Sequence, residues 1–453
     1  MLTTQPQRST AQPAATRDWT SDELAELPVV VIGAGPVGLA AAAHLLDRGL
    51  RPLVLEVGSD VGAAVSAWGH VRTFTPWKYI VDEVAEKLLA PTGWTNPASS
   101  LGGTPPTGCD IVSRYLRPLA AALGTGVVRT GARVVAITKQ GLDKGRSLGR
   151  EQRPFLVRVR DAEGTPEDLL ARAVIDASGS WYQPNPLGGS GLPAVGERAA
   201  AAAGFLAGPL PDVLGHDRAR FSGRKTLVVG MGHSAANTLL DLTQLAREAE
   251  DTRIVWAIRA ADPSRLYGGG AADQLPEREK LGHDVSSLVA SGAIELVNSF
   301  STTGVEIDGD SVTVAGATPD GERRITGVHN VVAATGFRPD LGMLSELRLD
   351  LDPGLEAPTT LAPLIDPAFH SCGTVPPHGH QHLSHPDAGF YIAGMKAYGR
   401  APTFLVTTGN EQVRSIAAAL AGDIEAADEV QLVLPETGVC SVTGPASDSA
   451  CCG

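Results

Sequence analysis

Two glycine-rich turns, each lying between a strand-like run and a helix-like run, constrain the fold of this sequence most strongly. Residues 33–38 read Gly-Ala-Gly-Pro-Val-Gly, directly after Val-Val-Val-Ile and before an Ala/Leu-rich stretch. Residues 230–235 read Gly-Met-Gly-His-Ser-Ala, after Leu-Val-Val and before another helix-like stretch. A short continuous apolar run is typical of a strand that is buried on both faces of a parallel sheet. The two strand–turn–helix units therefore predict an α/β protein with two doubly wound sheets.

The first turn has the residues of a site for an adenine dinucleotide. Gly33 permits a tight turn, Gly35 lets the backbone approach a pyrophosphate, and Gly38 lets the helix pack closely on the strand. Pro36 starts the helix, whose unpaired N–H groups attract phosphate. Glu56 ends the next strand-like run, where a carboxylate accepts hydrogen bonds from a ribose and repels a 2′-phosphate. This turn is therefore predicted to hold FAD or NAD rather than NADP.

The second turn differs at the position that meets the ribose. Its following strand-like run ends in Arg259 rather than an acid, and a guanidinium can pair with a 2′-phosphate. NADPH is therefore preferred here over NADH, and an exposed surface charge is the alternative role for Arg259, with Arg265 able to share or replace the pairing. The predicted NADPH residues are Gly230, Gly232, His233, Ser234 and Arg259. Two such sites in one chain imply electron transfer between two cofactors.

Composition excludes several other classes of function. The 453 residues carry 37 Lys and Arg against 50 Asp and Glu, and the net charge of −13 opposes binding to nucleic acid or to anionic lipid. No apolar stretch is long enough to span a bilayer, and a basic region followed by an apolar block is missing from the N-terminus. Five cysteines are an odd number and do not suggest a disulfide scaffold. We expect a cytoplasmic protein with no nucleic acid or membrane partner.

Beyond the two turns, the chain resembles flavoproteins with two Rossmann-like domains, especially flavin-containing and Baeyer–Villiger-type monooxygenases. Ile-Asp-Ala-Ser-Gly at 175–179 and Val-Ala-Ala-Thr-Gly-Phe-Arg-Pro-Asp at 332–340 resemble the two linkers at which that family's chain crosses between its domains. Gly-Phe-Tyr-Ile-Ala-Gly at 389–394 resembles its second flavin-contacting segment. The resemblance implies that the NADPH domain is inserted into the FAD domain. The implied divisions are an FAD-binding domain at 28–190 and 330–432 and an NADPH-binding domain at 191–329. Polar and small-residue composition predicts a disordered arm at 1–27 and a flexible Cys-containing tail at 433–453. The resemblance also assigns Trp68, Gly394 and Thr403 to the flavin site.

The sequence departs from that family at three places. Met395 and Lys396 follow Gly394 where the family has Gly-Asp, so Lys396 is a candidate to neutralise the pyrophosphate. The FxGxxxH fingerprint of these monooxygenases is missing between residues 185 and 220, which weakens a ketone-oxidising function. A Cys-x-x-Cys pair is missing near the flavin and NADPH segments, which argues against disulfide reduction at the flavin.

Four further segments resemble flavoprotein monooxygenases of bacterial arsenic-resistance clusters: residues 68–77, 266–270, 370–379 and 398–404. This resemblance implies oxidation of trivalent arsenic or antimony compounds to the pentavalent state. Thiolates suit such soft centres. The candidate metalloid ligands are Cys372, Cys440, Cys451 and Cys452. A mobile tail with inert thiols is the alternative for the last three.

Other chemistry-bearing residues leave alternatives open. His378, His380, His382 and His385 lie in a Pro-rich irregular loop, which could ligate a metalloid, relay protons, or simply be a polar surface loop. Trp68 and Trp77 suit either the core or the wall of a flavin pocket.

The combined pattern predicts an NADPH-dependent FAD monooxygenase that transfers one oxygen atom from O2 to a soft nucleophile, with trivalent arsenic or antimony as the favoured small-molecule substrate. Sulfur and amine nitrogen are alternative acceptors. The alternative functions are an NADPH dehydrogenase that feeds a separate electron acceptor and a thiol-based metalloid-binding protein. The sequence assigns no protein side chain to the chemical step and no resident metal, because the cofactor supplies the difficult chemistry. It leaves the oligomeric state open.

Overall fold

The structure is a computed structural model that describes residues 19–101, 103–267, 276–370 and 375–432. The strands in these ranges are β1 (Val29–Ile32), β2 (Pro52–Leu55), β3 (Val128–Arg129), β4 (Arg133–Lys139), β5 (Phe155–Arg160), β6 (Pro166–Ala171), β7 (Ala173–Asp176), β8 (Leu206–Ala207), β9 (Lys225–Val229), β10 (Arg253–Ala257), β11 (Glu295–Val297), β12 (Ser301–Asp308), β13 (Ser311–Thr318), β14 (Gly321–Val328), β15 (Asn330–Ala333) and β16 (Phe390–Ile392).

The α-helices in the same ranges vary from one turn to more than four turns. They are α1 (Ser21–Ala25), α2 (Pro36–Asp47), α3 (Ala63–Ser66), α4 (Glu83–Leu89), α5 (Pro97–Ser100), α6 (Gly108–Ile111), α7 (Arg117–Ala122), α8 (Glu197–Ala202), α9 (Arg218–Phe221), α10 (His233–Glu248), α11 (Ser264–Tyr267), α12 (Pro276–Ala290), α13 (Ala362–Ile365), α14 (His380–Leu383), α15 (Val406–Leu420) and α16 (Ile424–Asp428). A π-helix covers Val112–Leu116, and 3₁₀ helices cover Trp77–Tyr79, Ala90–Thr92, Gly342–Leu344 and Gly394–Tyr398.

The first parallel sheet has the strand order β16-β7-β1-β2-β3. Every residue of β1 and β7 is buried, which explains their continuous apolar runs. The helix α2 covers the sheet with its Ala-rich face and packs against α15. The helix α15 thus returns to the layered unit that contains β1.

The second parallel sheet has the strand order β11-β10-β9-β15-β8. Its core includes Leu239 of α10 and Trp256 of β10, both fully buried. The predicted α/β architecture with two doubly wound sheets is therefore confirmed.

Two three-stranded antiparallel sheets accompany the parallel ones, with the orders β4-β5-β6 and β12-β13-β14. Val157 and Val159 of β5 belong to the core of the first unit, and Val312 and Val314 of β13 belong to a core shared with β9. The alternation of buried and exposed residues along β5 is typical of a sheet with one covered face.

The predicted division between the units differs from the structure at two places. The strand Asn330–Ala333 lies between β9 and β8, so the chain leaves the second unit after Ala333 rather than at residue 330. Leu187 already packs in the core of the second sheet, before the predicted start at residue 191. An isolated bridge between Pro184 and Phe337 joins the two connecting segments. An exit after Ala333 agrees with the linker that the resemblance marks at residues 332–340, whereas the strand β15 itself was not predicted.

The predicted arm at 1–27 is wrong for its described part. Thr20 caps α1 in a capping box with Glu23, and the Trp19 indole donates a hydrogen bond to Gln140. Residues 1–18 and the predicted tail at 433–453 lie outside the described residues. No helix within the described ranges is both long and apolar enough to cross a bilayer.

Candidate functional site

A cavity of about 460 Å³ lies at the carboxyl ends of the first parallel sheet. Segments that follow β1, β2, β7 and β16 form its walls, and residues from 132–134 and 337–343 complete it. This is the edge of a doubly wound sheet at which ligands bind. The cavity is the strongest candidate for a cofactor site in the described chain.

The three glycines of the first turn have different structural roles. Gly33 has a φ of +97°, and a Cβ there would lie 2.8 Å from the Ala177 carbonyl oxygen. A Cβ on Gly38 would lie 1.9 Å from the Gly33 carbonyl oxygen, so the close packing of turn on helix requires glycine. A Cβ on Gly35 would meet nothing within 4 Å, because Gly35 borders the cavity. This open approach fits a pyrophosphate.

The start of α2 adds donors to the same place. Gly35 is the N-cap and Pro36 the first helical residue, and within the described chain no side chain caps this end. The first N–H groups of a helix lack partners within it, and the positive end of its dipole attracts anions. The helix start therefore fits phosphate chemistry.

Glu56 is 5% exposed and anchors the turn. Its Oε2 accepts a hydrogen bond from Ala34 N at 2.8 Å, and its Oε1 accepts one from Gly58 N at 2.8 Å. The carboxylate also borders the cavity. Besides the predicted place beside a ribose, Glu56 holds the loops after β1 and β2 in a fixed relation.

The predicted flavin residues are not all at the cavity. Trp68 and Gly394 border it, whereas Thr403 is buried outside its lining with its hydroxyl 3.5 Å from the Ile365 carbonyl oxygen. Phe404 borders the cavity at this point of the chain. The assignment of Thr403 is therefore corrected: the aromatic neighbour faces the cavity and the threonine faces the core.

Sequence reasoning missed an aromatic pair in the wall. Trp181 and Tyr182 lie in the segment after β7 and border the cavity. The Trp181 ring lies 5.3 Å from that of Phe337, which follows β15. The position of two aromatic residues directly after Ser-Gly-Ser was a usable signal, because flat apolar rings suit the faces of flavin and adenine. Trp77, in contrast, is 1% exposed and belongs to the core.

Lys396 does not line the cavity. Its ammonium is fully buried and lies 2.6 Å from Asp176 Oδ2, so its charge is already balanced within the protein. The suggestion that Lys396 neutralises a pyrophosphate is therefore wrong.

The second turn repeats the backbone geometry of the first. Gly230 has a φ of +127°, and a Cβ there would lie 2.1 Å from the Ala334 carbonyl oxygen. Gly232 caps α10 and has open space where a Cβ would be. His233 and Ser234 form the first turn of α10. These four residues thus form a turn and helix start that fit a second phosphate group.

Arg259 is exposed and lies two residues beyond β10. Its Nη1 donates a hydrogen bond to the Gly189 carbonyl oxygen at 3.2 Å. The guanidinium therefore contacts the segment that leads into the second unit, and its pairing with a 2′-phosphate stays a prediction. The side chain of Arg265 lies outside the described part of the structure.

Residues 68–77 connect the two turns. Trp68 borders the first cavity, and the Phe74 ring lies 4.9 Å from the His233 ring at the start of α10. Backbone and side-chain hydrogen bonds from Thr73 to Pro106 hold the segment. One stretch of chain therefore contacts both candidate nucleotide sites.

The histidine-rich segment at 378–385 is more buried than the sequence suggested. His378 is 3% exposed, donates from Nδ1 to the Pro376 carbonyl oxygen at 3.0 Å and accepts at Nε2 from the Gln412 amide at 2.9 Å. Burial lowers the pKa of His378 to about 4 and that of His385 to about 4. Both imidazoles are therefore neutral at pH 7.

A smaller cavity of about 260 Å³ lies between this loop and α16. His380 and His382 border it, and His380 Nε2 lies 2.9 Å from Asp428 Oδ1. Among the described residues, no group of three or more His, Cys, Asp or Glu side chains is arranged to hold a metal ion. The candidate metalloid ligands Cys372, Cys440, Cys451 and Cys452 all lie outside the described residues.

A family model described as pyridine nucleotide-disulphide oxidoreductase matches residues 30–364, which include both glycine-rich turns. The chain belongs to this family. Membership confirms the predicted enzyme class, an oxidoreductase, and the use of a pyridine nucleotide.

Curated relatives match parts of the chain. A thiamine thiazole synthase of Methanococcus vannielii is 26% identical over 35% of this chain, and the alignment spans 58% of the relative's own length. A ferredoxin–NADP reductase of Salinispora tropica is 27% identical over 72% of this chain and 79% of its own length.

Solved structures share the fold across most of the chain. The bacillithiol disulfide reductase of Bacillus cereus has a TM-score of 0.62 and 19% identity, covering 87% of this chain and 99% of its own. The FAD-bound cadaverine monooxygenase of Erwinia amylovora has a TM-score of 0.59 and 13% identity, covering 90% of this chain and 98% of its own. At such identities the likeness shows the fold alone.

Proposed function

We propose that this protein is an NADPH-dependent FAD monooxygenase that transfers one oxygen atom from O2 to a soft nucleophile. The observation that carries the proposal is the pair of glycine-bordered helix starts in two parallel sheets, joined by the 68–77 segment that contacts both. Two dinucleotide sites in contact through one segment suit the transfer of a hydride between two cofactors. When bound, the flavin supplies the two-electron chemistry and the reaction with O2.

The residues of the first cavity would hold FAD. The backbone at Gly33, Gly35 and Pro36 offers N–H groups and space to the pyrophosphate, while Gly38 permits the close helix packing that aims them. Glu56 fixes the turn and presents a carboxylate to the ribose. Apolar wall residues, including Trp68, exclude water around the reacting ring.

The second turn would hold NADPH. Gly230, Gly232, His233 and Ser234 provide the corresponding helix start, and Arg259 provides a cation for the 2′-phosphate. The Phe74–His233 contact places this helix start against the segment that borders the first cavity. The protein's own contribution is therefore binding, orientation and exclusion of water.

We propose trivalent arsenic or antimony as the oxygen acceptor. The support is the resemblance of residues 68–77, 266–270, 370–379 and 398–404 to flavoprotein monooxygenases of arsenic-resistance clusters, together with the thiols at Cys440, Cys451 and Cys452. A lone pair on a soft centre is a suitable acceptor for an electrophilic oxygen atom.

Two alternatives also have specific support: another oxygen acceptor, and transfer of electrons without oxygen insertion. The fold shared with a cadaverine monooxygenase favours an amine nitrogen. The match to a ferredoxin–NADP reductase favours a separate electron acceptor with no oxygen insertion. These alternatives differ in what consumes the electrons of NADPH.

The deciding experiment measures NADPH consumption, O2 consumption and product speciation with the purified yellow protein. The panel contains arsenite, methylarsenite, antimonite, thioethers, amines and a protein or quinone electron acceptor. The proposal expects NADPH oxidation to accelerate with a trivalent metalloid, with one O2 consumed for each pentavalent product. Acceleration only by an amine, or only by an electron acceptor without O2 uptake, would replace it with the corresponding alternative.

The role of the tail is tested separately by truncation after Leu434. If the tail thiols collect substrate, the truncated protein needs a higher concentration of arsenite for half-maximal turnover, while its reduction by NADPH is unchanged. Identical arsenite dependence in the two proteins would assign the thiols no part in collection.

A further inference from the structure

The strongest unexplained feature of the structure is a fully buried ion pair directly behind the wall of the first cavity. Lys396 Nζ lies 2.6 Å from Asp176 Oδ2, and both side chains are 0% exposed. Burial of a charge pair costs free energy, and apolar residues of similar volume often stabilise a protein as well or better. The pair therefore calls for a role other than general stability.

The pair connects two segments that both border the cavity. Asp176 ends β7, and Lys396 lies in the 3₁₀ helix that follows β16. Ile392 of β16 is in register with Asp176 in the parallel sheet, so the segments after β7 and β16 leave adjacent strands side by side. Beyond the end of β16, a backbone hydrogen bond from Ala393 N to the Asp176 carbonyl oxygen at 2.9 Å still joins the two segments, and side-chain contacts must fix the rest of their paths.

Ser178 extends the pair to the cavity surface. Its Oγ donates to Asp176 Oδ1 at 2.6 Å and accepts from Lys396 Nζ at 3.2 Å, and its backbone N donates to the same Asp176 oxygen at 3.2 Å. Ser178 borders the cavity, as do Gly394 and Met395 next to Lys396. The three polar side chains thus form a closed network behind residues that face the cavity.

The opposite side of the Gly394 turn is held as well. Gln412 is fully buried, and its Oε1 accepts a hydrogen bond from Gly394 N at 2.7 Å. The neutral imidazole of His378 fixes the orientation of that amide, because its Nε2 accepts from Gln412 Nε2. The turn is therefore held by Gln412 on one side and by the Lys396–Asp176 pair on the other.

We propose that Lys396 is a positioning residue of the cofactor cavity, which acts through Asp176 and Ser178 to hold the segments after β7 and β16 at the distance that FAD requires. The inference rests on the proposed function, since FAD is the molecule that the cavity would receive. Lys396 itself does not touch the cavity, so it is not a catalytic residue.

The test compares two buried ion pairs in the full-length protein purified with FAD. The variant Lys396→Met with Asp176→Asn removes both charges behind the cavity. The matched control is Arg150→Met with Asp387→Asn, which removes a buried pair of the same 2.6 Å length that does not border the cavity. The measurements are thermal unfolding, the fluorescence of FAD released on dilution, and the visible circular dichroism of the bound flavin.

We expect the Lys396/Asp176 double variant to bind FAD about tenfold or more weakly, the scale found for supporting groups behind metal sites. Its flavin circular dichroism should change as well, because the ring is held differently. The Arg150/Asp387 variant should keep the FAD affinity and the dichroism of the wild type even if its unfolding temperature falls. Equal effects of the two double variants on FAD binding would overturn the proposal.

A milder variant keeps the test decisive if the double variant does not fold. Ser178→Ala leaves both charges in place and removes only the hydroxyl, so FAD release should be faster than in the wild type with little change in unfolding temperature. Unchanged FAD release would also overturn the proposal. A wild-type protein that binds no FAD would instead contradict the proposed function.

Discussion

Gly35 and Gly38 belong to the same turn but should respond to substitution in opposite ways. A side chain at Gly35 points into the cavity, and its φ of −80° is accessible to any residue. A side chain at Gly38 meets the Gly33 carbonyl oxygen at 1.9 Å. One glycine is therefore required for ligand access and the other for folding.

We expect Gly35→Val to fold with nearly wild-type stability but to purify without yellow colour, because the valine occupies the pyrophosphate space. Gly38→Ala should lower the free energy of unfolding by more than about 1 kcal/mol, since the helix must move away from the turn. Thermal unfolding and the visible spectrum check both. A yellow Gly35→Val protein would contradict the assignment of FAD to this turn.

Arg259 should set the preference between the two nicotinamide cofactors. In Arg259→Ala the KM for NADPH should rise about 10- to 100-fold, as expected when a charge-assisted hydrogen bond to a phosphate is lost, while the KM for NADH changes little. Steady-state kinetics with both cofactors check this. A proportional rise in both KM values would show that Arg259 acts through its bond to Gly189 rather than on the phosphate.

The sequence was most informative at single residues whose role depends on backbone geometry. Gly33 and Gly38 were identified from spacing alone, because only glycine satisfies a positive φ or a contact under 2 Å. Thr403 and Lys396 were placed wrongly, because spacing does not show which of two neighbouring side chains faces a cavity. The buried partner of Lys396, Asp176, is 220 residues away in sequence and no local pattern links the two.

At the scale of elements, the loop from residue 375 to 387 has a distinct pH response. Burial lowers the pKa of both His378 and His385 from 6.5 to about 4. The unfolded chain binds protons at these sites below pH 6.5, whereas the folded chain binds them only near pH 4. The stability that the neutral imidazoles contribute is therefore present above pH 6.5 and is lost as the pH falls towards 4.

We expect the free energy of unfolding to fall by about 3 kcal/mol for each of these histidines between pH 6.5 and pH 4. Urea unfolding at a series of pH values measures the slope. In His378→Leu with His385→Leu the slope over this range should flatten, whatever the absolute stability. An unchanged slope in the double variant would contradict the account.

Element prediction from sequence was reliable where burial pattern and turn chemistry agree. β1, α2, β9 and α10 follow from an apolar run, a glycine turn and an Ala/Leu-rich stretch. Residues 378–385 were expected to form an irregular loop, whereas His380–Leu383 form the helix α14. The burial of His378 and His385 was not expected either, because histidines and prolines usually indicate surface. Burial here depends on packing against α15, a contact that sequence order does not show.

At the scale of the whole molecule, the sequence predicted two nucleotide-binding units and the insertion of one into the other, but not the strand β15 after which the chain leaves the second unit. The crossing after Ala333 is fixed by β15, four residues whose apolar pattern fits either sheet. The antiparallel strand β14, which directly precedes β15, contacts β9, and β15 then pairs with the same strand β9. Long-range pairing of this kind depends on tertiary packing, so local sequence patterns do not determine it.

The central claim is that one chain holds FAD and NADPH together and passes a hydride from one to the other. The direct test mixes the FAD-loaded protein with NADPH in a stopped-flow instrument without oxygen and follows the visible flavin band. The account predicts rapid loss of that band with NADPH and much slower loss with NADH. A band that persists with NADPH, or a protein that remains colourless after incubation with FAD, would contradict it.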